Sequence, residues 1–492
     1  MAKEFDISGK INAALLHPGH AVQTRHGLSV GETLVAGMIA RVCAPRSKRA
    51  FAAWAQQTCL PDLMGFNAGD LTSQHFWDQM HAVPVTALEQ IEQAIVREVI
   101  ATEGLQPRAL GYDTTNFYTH IATTNSRPEL PQRGHNKQGR HDLRQLGLAL
   151  VVDQQTQLPL THCLYAGARS DMRTFAEFVK PLRQRLRALS IPAEQLTLVF
   201  DAGASSRDNL QRLEDGHDHY VTALRPSQHQ ALLAEASAHV EEVLLSTQAV
   251  ARAWRTRRLI AGQTREVVVV FSPQLYAGQM RGLHQHLHRC DEQLRELGLQ
   301  PRGSVEALQR RLDKICGRQY VRKIVRYQVQ RVEGGVAQVR VWSDWQEYRR
   351  LQHSYFGLRV LITDRSQWST AQIIEAYRGQ SRAEAAFRDL KDPGMLATRP
   401  QFHWTDQKLH VHAFMCVTAY LLLRLLLWRA RCKIGFAGGA RKLIGELARI
   451  RRCRMVERTG RAGRPRVRLQ LEQMTSELAT LGEALCAMPA TD

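Results

Sequence analysis

Acidic residues are in short supply in this 492-residue chain: 46 Asp and Glu stand against 66 Lys and Arg, a formal charge of +20. So basic a balance disfavours cationic partners and points to a polyanion, nucleic acid first. A basic protein without such a partner is the alternative. Cysteine patterning is also missing. The nine cysteines run from Cys43 to Cys486 with no C-x-x-C pair and no Cys/His cluster at zinc spacing, which argues against a disulfide framework or zinc site and fits a reducing interior. The opening MAKEFDISGK lacks the apolar stretch of a signal peptide, so a cytoplasmic protein is expected. Long apolar runs are limited to AFMCVTAYLLLRLLLW, residues 413–428, shorter than the roughly 20 residues of a membrane span and interrupted by Arg424. A buried helix, and no membrane partner, is the expectation.

What is present divides into about three units by a length prior of roughly 100–200 residues each. Residues 1–105 carry apolar residues three and four apart, as in VGETLVAGMIARVCA, and read as a helical domain for DNA binding or dimerisation. Arg46, Lys48 and Arg49 and an aromatic pair, Phe76 and Trp77, lie among these helices. From 106 to 225 short apolar runs alternate with turns. LGYDTTNFYTHI reads as a strand, QLGLALVVD and QLPLTHCLY as a hairpin, DMRTFAEFVKPLRQRLRAL as a helix and LTLVFD as a buried strand. Asp113 thus falls inside a strand, where a carboxylate is costly unless paired or bound to a cation. Asp201 falls at a strand's carboxyl end, where open α/β sheets hold ligands.

Residues 226–365 read as a mainly β insertion with a helical, basic segment over 276–315 and a Gly334-Gly335 hairpin turn. Trp254, Trp342, Trp345 and Trp368 stand there beside many arginines. That mixture suits base stacking with phosphate contact, although core filling is the expectation for at least two of the four. Residues 366–430 resume the α/β order, and 431–492 form a basic tail. Nine arginines and one glutamate fall between Arg449 and Arg468, as a DNA-contacting arm or a solvated tail.

EAYRGQSRAEAAFRDLK, residues 375–391, predicts one helix. Tyr377, Gln380, Glu384 and Lys391 then share a face, and a small stripe of Ala376, Gly379, Ala383 and Ala386 would let that helix sit close to its support. An ordinary amphipathic helix with solvated polar residues is the alternative. In chain order, two strands and a helix carry Asp113, Asp201 and Glu384. Three carboxylates are hard oxygen donors suited to Mg²⁺ or Mn²⁺, and a pair of such ions supports in-line phosphoryl displacement.

The stretches GYDTTNFYT, RGHNKQGRHDLRQLGLALVVDQQTQLPL, VFDAG and YRGQSRAEAAFRDLKDP running on to RPQFHWTDQKLHVHAF resemble the DDE transposases of bacterial insertion sequences, in the branch with a Tyr-Arg-Glu-Lys signature. The resemblance covers about residues 108–428. It implies an α/β, RNase H-like catalytic core interrupted by the insertion, with Asp113, Asp201 and Glu384 holding two Mg²⁺ or Mn²⁺ ions. It also implies phosphate contacts from Tyr377 and Lys391, double-stranded DNA as partner, a homodimer on that DNA, and a bacterial, nucleoid-associated location. Gln380 occupies the signature's arginine position, so a weaker grip on the DNA end is expected, with Arg388 as the residue to compensate. Arg133, Lys137 and Arg140, with His135, His141 and Arg144, form a basic block read either as a phosphate track or as a solvated loop. A metal-dependent, structure-selective nuclease and a non-catalytic DNA-binding relative are the competing readings.

Overall fold

Strand and helix order in the computed structural model follows the apolar pattern closely in its central part. The structure describes residues 1–16, 22–134, 139–298, 304–331, 337–399, 401–457 and 466–485. The chain forms two units, one of residues 1–219 with 379–492 and one of residues 220–378.

In the first unit four strands lie in the order Pro159–Ala166, Gln145–Asp153, Ala109–Tyr118, Thr197–Phe200. The first three form an antiparallel meander and the fourth runs parallel to Ala109–Tyr118. All nine residues of Gln145–Asp153 are buried, as a central strand covered on both faces requires. Gly147 stands opposite Tyr165, and a Cβ there would lie 2.1 Å from the tyrosine ring, so only glycine permits this register. Helix Asp171–Ala188, capped by Ser170, connects the meander to the parallel strand.

Residues 1–105 belong to this same unit. Their helices include Val30–Cys43, started by a Ser29/Glu32 capping box, and Val85–Glu103. The apolar run forms helix Asp406–Ile434, long and apolar enough to cross a membrane by composition, yet its apolar residues are buried against the surrounding helices and strand Pro159–Ala166. Arg429 near its end ties Glu4 and Glu103 together, and Glu92 of Val85–Glu103 bonds His162 of the sheet. The stretch expected as a basic tail is folded over its described part: helix Ala440–Leu447, a pair of strands Arg452–Glu457 and Arg466–Leu471, and helix Ser476–Ala484. Residues 458–465 lie outside the described set.

The second unit corrects the expectation of a mainly β insertion. Its antiparallel strands run in the order His219–Leu224, Leu358–Thr363, Gln263–Phe271, Val250–Ile260, Glu241–Leu244. Helices take more of its described residues than strands do. Pro273–Leu297 alone is 25 residues, and Val305–Cys316 packs beside it on the strand pair Val325–Arg331 and Ala337–Ser343. The turn at Gly334-Gly335 lies outside the described residues. Core filling by the tryptophans is also overturned. Trp342 and Trp345 are exposed, while Trp254 and Trp368 are half-buried beneath the guanidinium groups of Arg258 and Arg365. Aliphatic residues such as Leu297, Leu308 and Leu312 fill the helical core instead.

Candidate active site

Residues 375–391 do not form one helix. Thr370–Arg378 ends in the second unit and Ser381–Lys391 begins in the first, with a turn at Gly379-Gln380 between them. The shared face therefore holds for Glu384 and Lys391, seven residues apart in the second helix, and does not extend as a single helical face to Tyr377. A Cβ on Gly379 would lie 2.0 Å from Oε1 of Gln154, so the break falls where the backbone needs glycine to approach a buried side chain.

The small stripe acts as expected in helix Ser381–Lys391. Ala383, Ala386 and Leu390 are buried and Glu384 is exposed. The helix lies along one face of strand Ala109–Tyr118. A Cβ on Gly111 would sit 3.4 Å from both the Ala383 methyl and Gln380 Oε1, the Lys391 ammonium donates to Thr115 Oγ1, and that ammonium is 5.2 Å from the Phe117 ring. Residues 111, 113, 115 and 117 share one face of a strand. Asp113 thus belongs to the face the Glu384 helix covers.

Asp201 lies just beyond the carboxyl end of the neighbouring parallel strand, Thr197–Phe200. Ala109, Leu110 and Gly111 pair with Thr197, Leu198 and Val199, and the ladder ends there, two residues before Asp113 in one strand and two before Asp201 along the other. Asp113 Oδ1 accepts the Thr114 N–H at 2.8 Å and Asp201 Oδ1 accepts the Ala202 N–H at 2.7 Å. Asp201 is exposed and Asp113 half-buried. As donors, three carboxylates fit a hard divalent cation. Among the described residues, no three carboxylate, imidazole or thiol side chains are drawn close enough to hold an ion.

A fourth acid is not legible in the sequence. On the opposite face of the Asp113 strand, Tyr112 packs on Phe175 and Phe178, and Thr114 Oγ1 donates to Asp171 Oδ1 at 2.8 Å. Asp171 Oδ2 also lies 3.9 Å from the Cβ position of Gly203, in the turn after Asp201. Its only sequence signal is its place behind the capping Ser170.

Other expected DNA contacts fare unequally. Gln380 is corrected from a surface contact to an anchor: it is buried, and its Nε2 donates to the Tyr112 carbonyl at 2.6 Å. Tyr377 is buried too, its ring under the Arg359 guanidinium, which donates to its hydroxyl at 3.3 Å. Arg388 is exposed one turn beyond Glu384, and Arg133 is exposed. Arg140 forms a two-point pair with Asp142 at 2.9 Å, holding that carboxyl down at about 2, and stacks 5.7 Å from the Tyr118 ring. Arg144 leaves the expected phosphate track, since its guanidinium is spent on the carbonyls of Asn125 and Ala122. His135 and Lys137 lie outside the described residues.

The family model described as "Transposase DDE domain" matches residues 107–422, which include all three acids and both helices flanking Gly379. The chain belongs to the transposase DDE domain family. It is a DNA transposase at that level. Among solved structures, it is similar to a piggyBac transposase synaptic complex with hairpin DNA, at 9% identity over 89% of this chain and 76% of that one, TM-score 0.42. It is also similar to a Mos1 transposase paired-end complex with left transposon end, at 12% identity over 42% of this chain and 61% of that one, TM-score 0.16. No curated protein matches.

Proposed function

We propose that this transposase is that of a bacterial insertion sequence, of the Tyr-Arg-Glu-Lys branch, with an RNase H-like core in which Asp113, Asp201 and Glu384 are the catalytic acids. The observation that supports this most is that the Glu384 helix covers the strand face of Asp113, while Asp201 follows the strand paired in parallel with that one. The antiparallel meander followed by a helical crossover to a parallel strand supports the same reading.

The three carboxylates would hold two Mg²⁺ or Mn²⁺ ions, which when bound supply Lewis-acid activation of the attacking oxygen and charge stabilisation of the leaving one. At the element's terminus a water oxygen bonds to the scissile phosphorus, the phosphorus–3′ oxygen bond breaks, and the 3′ oxygen leaves as a hydroxyl. That hydroxyl then attacks a phosphodiester of the opposite strand or of target DNA, releasing another 3′ hydroxyl. Lys391, fixed by Thr115 on the same helix face as Glu384, and Arg388 would neutralise backbone phosphates beside the cut. Arg133 and Lys137 would add further phosphate contacts, and two copies of the chain would pair the two ends.

The test starts from the DNA flanking the coding frame, where inverted repeats bounded by short direct duplications supply the substrate. With that end DNA and Mg²⁺, the wild-type chain should nick and join strands. Asp201→Ala, Asp113→Ala and Glu384→Ala should bind ends and leave them uncut. Cutting by any of these variants removes that residue from the site, and cutting without joining favours the nuclease.

A further inference from the structure

Residues 401–404 reverse the usual sense of an extended segment. Gln401 bridges Thr119 at the end of the Asp113 strand, and the His120 N–H donates to the Gln401 carbonyl at 2.9 Å. Alternation then turns Gln401 and His403 inward, at 2% and 4% exposure, and Phe402 and Trp404 outward, at 52% and 66%. His403 is packed between Trp77 and His412, with ring centroids 5.0 and 4.3 Å away. Two polar side chains are buried and two large aromatics are left in solvent, the opposite of what burial of apolar surface favours.

The exposed rings continue into a basic surface. His120 stacks on Phe402 at 5.4 Å, and Tyr118 lies 5.8 Å from His120. The guanidinium groups of Arg399 and Arg140 stand 5.1 and 5.7 Å from the Tyr118 ring. Tyr118 is five residues, about 17 Å, along the same strand from Asp113. Aromatic faces rimmed by guanidinium groups suit nucleobases, which stack on rings while their phosphates meet cations. Paired bases inside a duplex do not offer their faces, so the surface selects unpaired ones.

We propose that Phe402 and Trp404 form a stacking site for unpaired nucleotides of the DNA strand next to the cut, with Arg399 on its phosphates. The proposal rests on the reading of this chain as a transposase acting on DNA ends, and adds a preference for ends with unpaired bases.

The test uses the full chain and two probes of one sequence: a flush duplex, and the same duplex with a five-nucleotide unpaired tail carrying 2-aminopurine. Wild type should bind the tailed probe ~10-fold or more tighter, as stacking of one or two bases implies, and should change the 2-aminopurine fluorescence. Phe402→Ala with Trp404→Ala should bring the two affinities together while leaving flush-duplex binding and its salt dependence unchanged. Phe402→Tyr with Trp404→Phe should keep the preference. Both side chains are exposed, so an unchanged thermal unfolding curve is expected for every variant. A double alanine variant that keeps the preference overturns the proposal, as does a wild type that binds and cuts flush ends without any. A double variant that changes only the oligomeric state identifies a contact between copies instead. A wild type that binds neither probe removes the DNA-end reading itself.

Discussion

Gln380→Leu tests whether this residue anchors the Glu384 helix or grips DNA. The Gln380 side chain is 6% exposed, and its Nε2 donates at 2.6 Å to the Tyr112 carbonyl, one residue beyond the last pair of the parallel ladder at Gly111 and Val199. Leucine keeps the volume, so the loss is the hydrogen bond and the desolvated carbonyl it leaves, about 1–3 kcal/mol. The bond fixes the first turn of Ser381–Lys391, which includes Glu384. If that energy holds the turn closed, amide exchange over residues 381–387 should quicken by ~5- to 150-fold, while exchange in Gln145–Asp153 stays as it was. Cutting should fall with it, since a catalytic group misplaced by about 1 Å costs on the order of 100-fold. Gln380→Arg should behave similarly, because it puts a charge into a buried site. Unchanged exchange in Gln380→Leu, or tighter end binding by Gln380→Arg, would refute the anchor and restore the phosphate contact.

Gly379→Ala should destabilise by about 1–3 kcal/mol through overpacking on Gln154. In a Gln154→Ala background the same change should become neutral, and denaturant midpoints of the four-member cycle would expose an error if the costs simply add. Lys48 gives a pH signature. Burial, then the nearby Arg41 charge, pushes its ammonium down to about 7 from an ordinary 10.5, while Lys408 adds to the shift and Cys416 opposes it. The unfolded chain binds the extra proton between those values, so stability should rise with pH from about 7 to 10.5, at up to about 1.4 kcal/mol per pH unit. Lys48→Met should flatten that rise, and equal slopes in the two chains would show that Lys48 is not the group responsible. Arg429→Ala leaves the half-buried Glu103 and the more exposed Glu4 without their shared guanidinium. It should lower stability by about 1–3 kcal/mol, and an unfolding midpoint within error of wild type would discount the tie.

Sequence reading succeeds where burial is continuous. QLGLALVVD is buried at every position, and an apolar run of that length bounded by turns has few other places to go. It fails at Gly379 because one glycine costs a helix only about 1 kcal/mol, which local pattern cannot weigh against a buried Gln154 more than 200 positions away. Gln380 misleads for a related reason. Spaced with Tyr377, Glu384 and Lys391 it resembles a member of a polar face, and its partner, the Tyr112 carbonyl, lies 268 positions earlier. Asp171 escapes notice because its link to the Asp113 strand passes through a threonine hydroxyl. Asp113 is legible as a strand member and Asp201 as the residue at a strand's end, but that these two strands are neighbours and run parallel is set only once they pair.

The departures from patterning rules gather around one strand. Along Ala109–Tyr118 and the segment bridged to its end, Gln380, Gln401 and His403 are buried while Phe402 and Trp404 face solvent. A sequence selected for stability alone would exchange these roles, since burying a large ring gains about 1.5–3 kcal/mol and burying an amide or imidazole costs unless it is hydrogen-bonded. Gln380 meets that condition at its Nε2, which donates to the Tyr112 carbonyl, and His403 at its Nε2, 3.2 Å from Lys48 Nζ, though Gln380 Oε1 and His403 Nδ1 have no such partner among the described residues. The buried polar groups therefore hold backbone in position, one beside Asp113 and the other beneath the two exposed rings. Position and exposure are what a surface needs to present acids and aromatic faces to a single DNA strand, and neither is what a core needs. The same strand thus connects the proposed chemistry at Asp113 to the proposed stacking site at Phe402, and loosening either buried anchor should disturb the group it supports before it disturbs the fold.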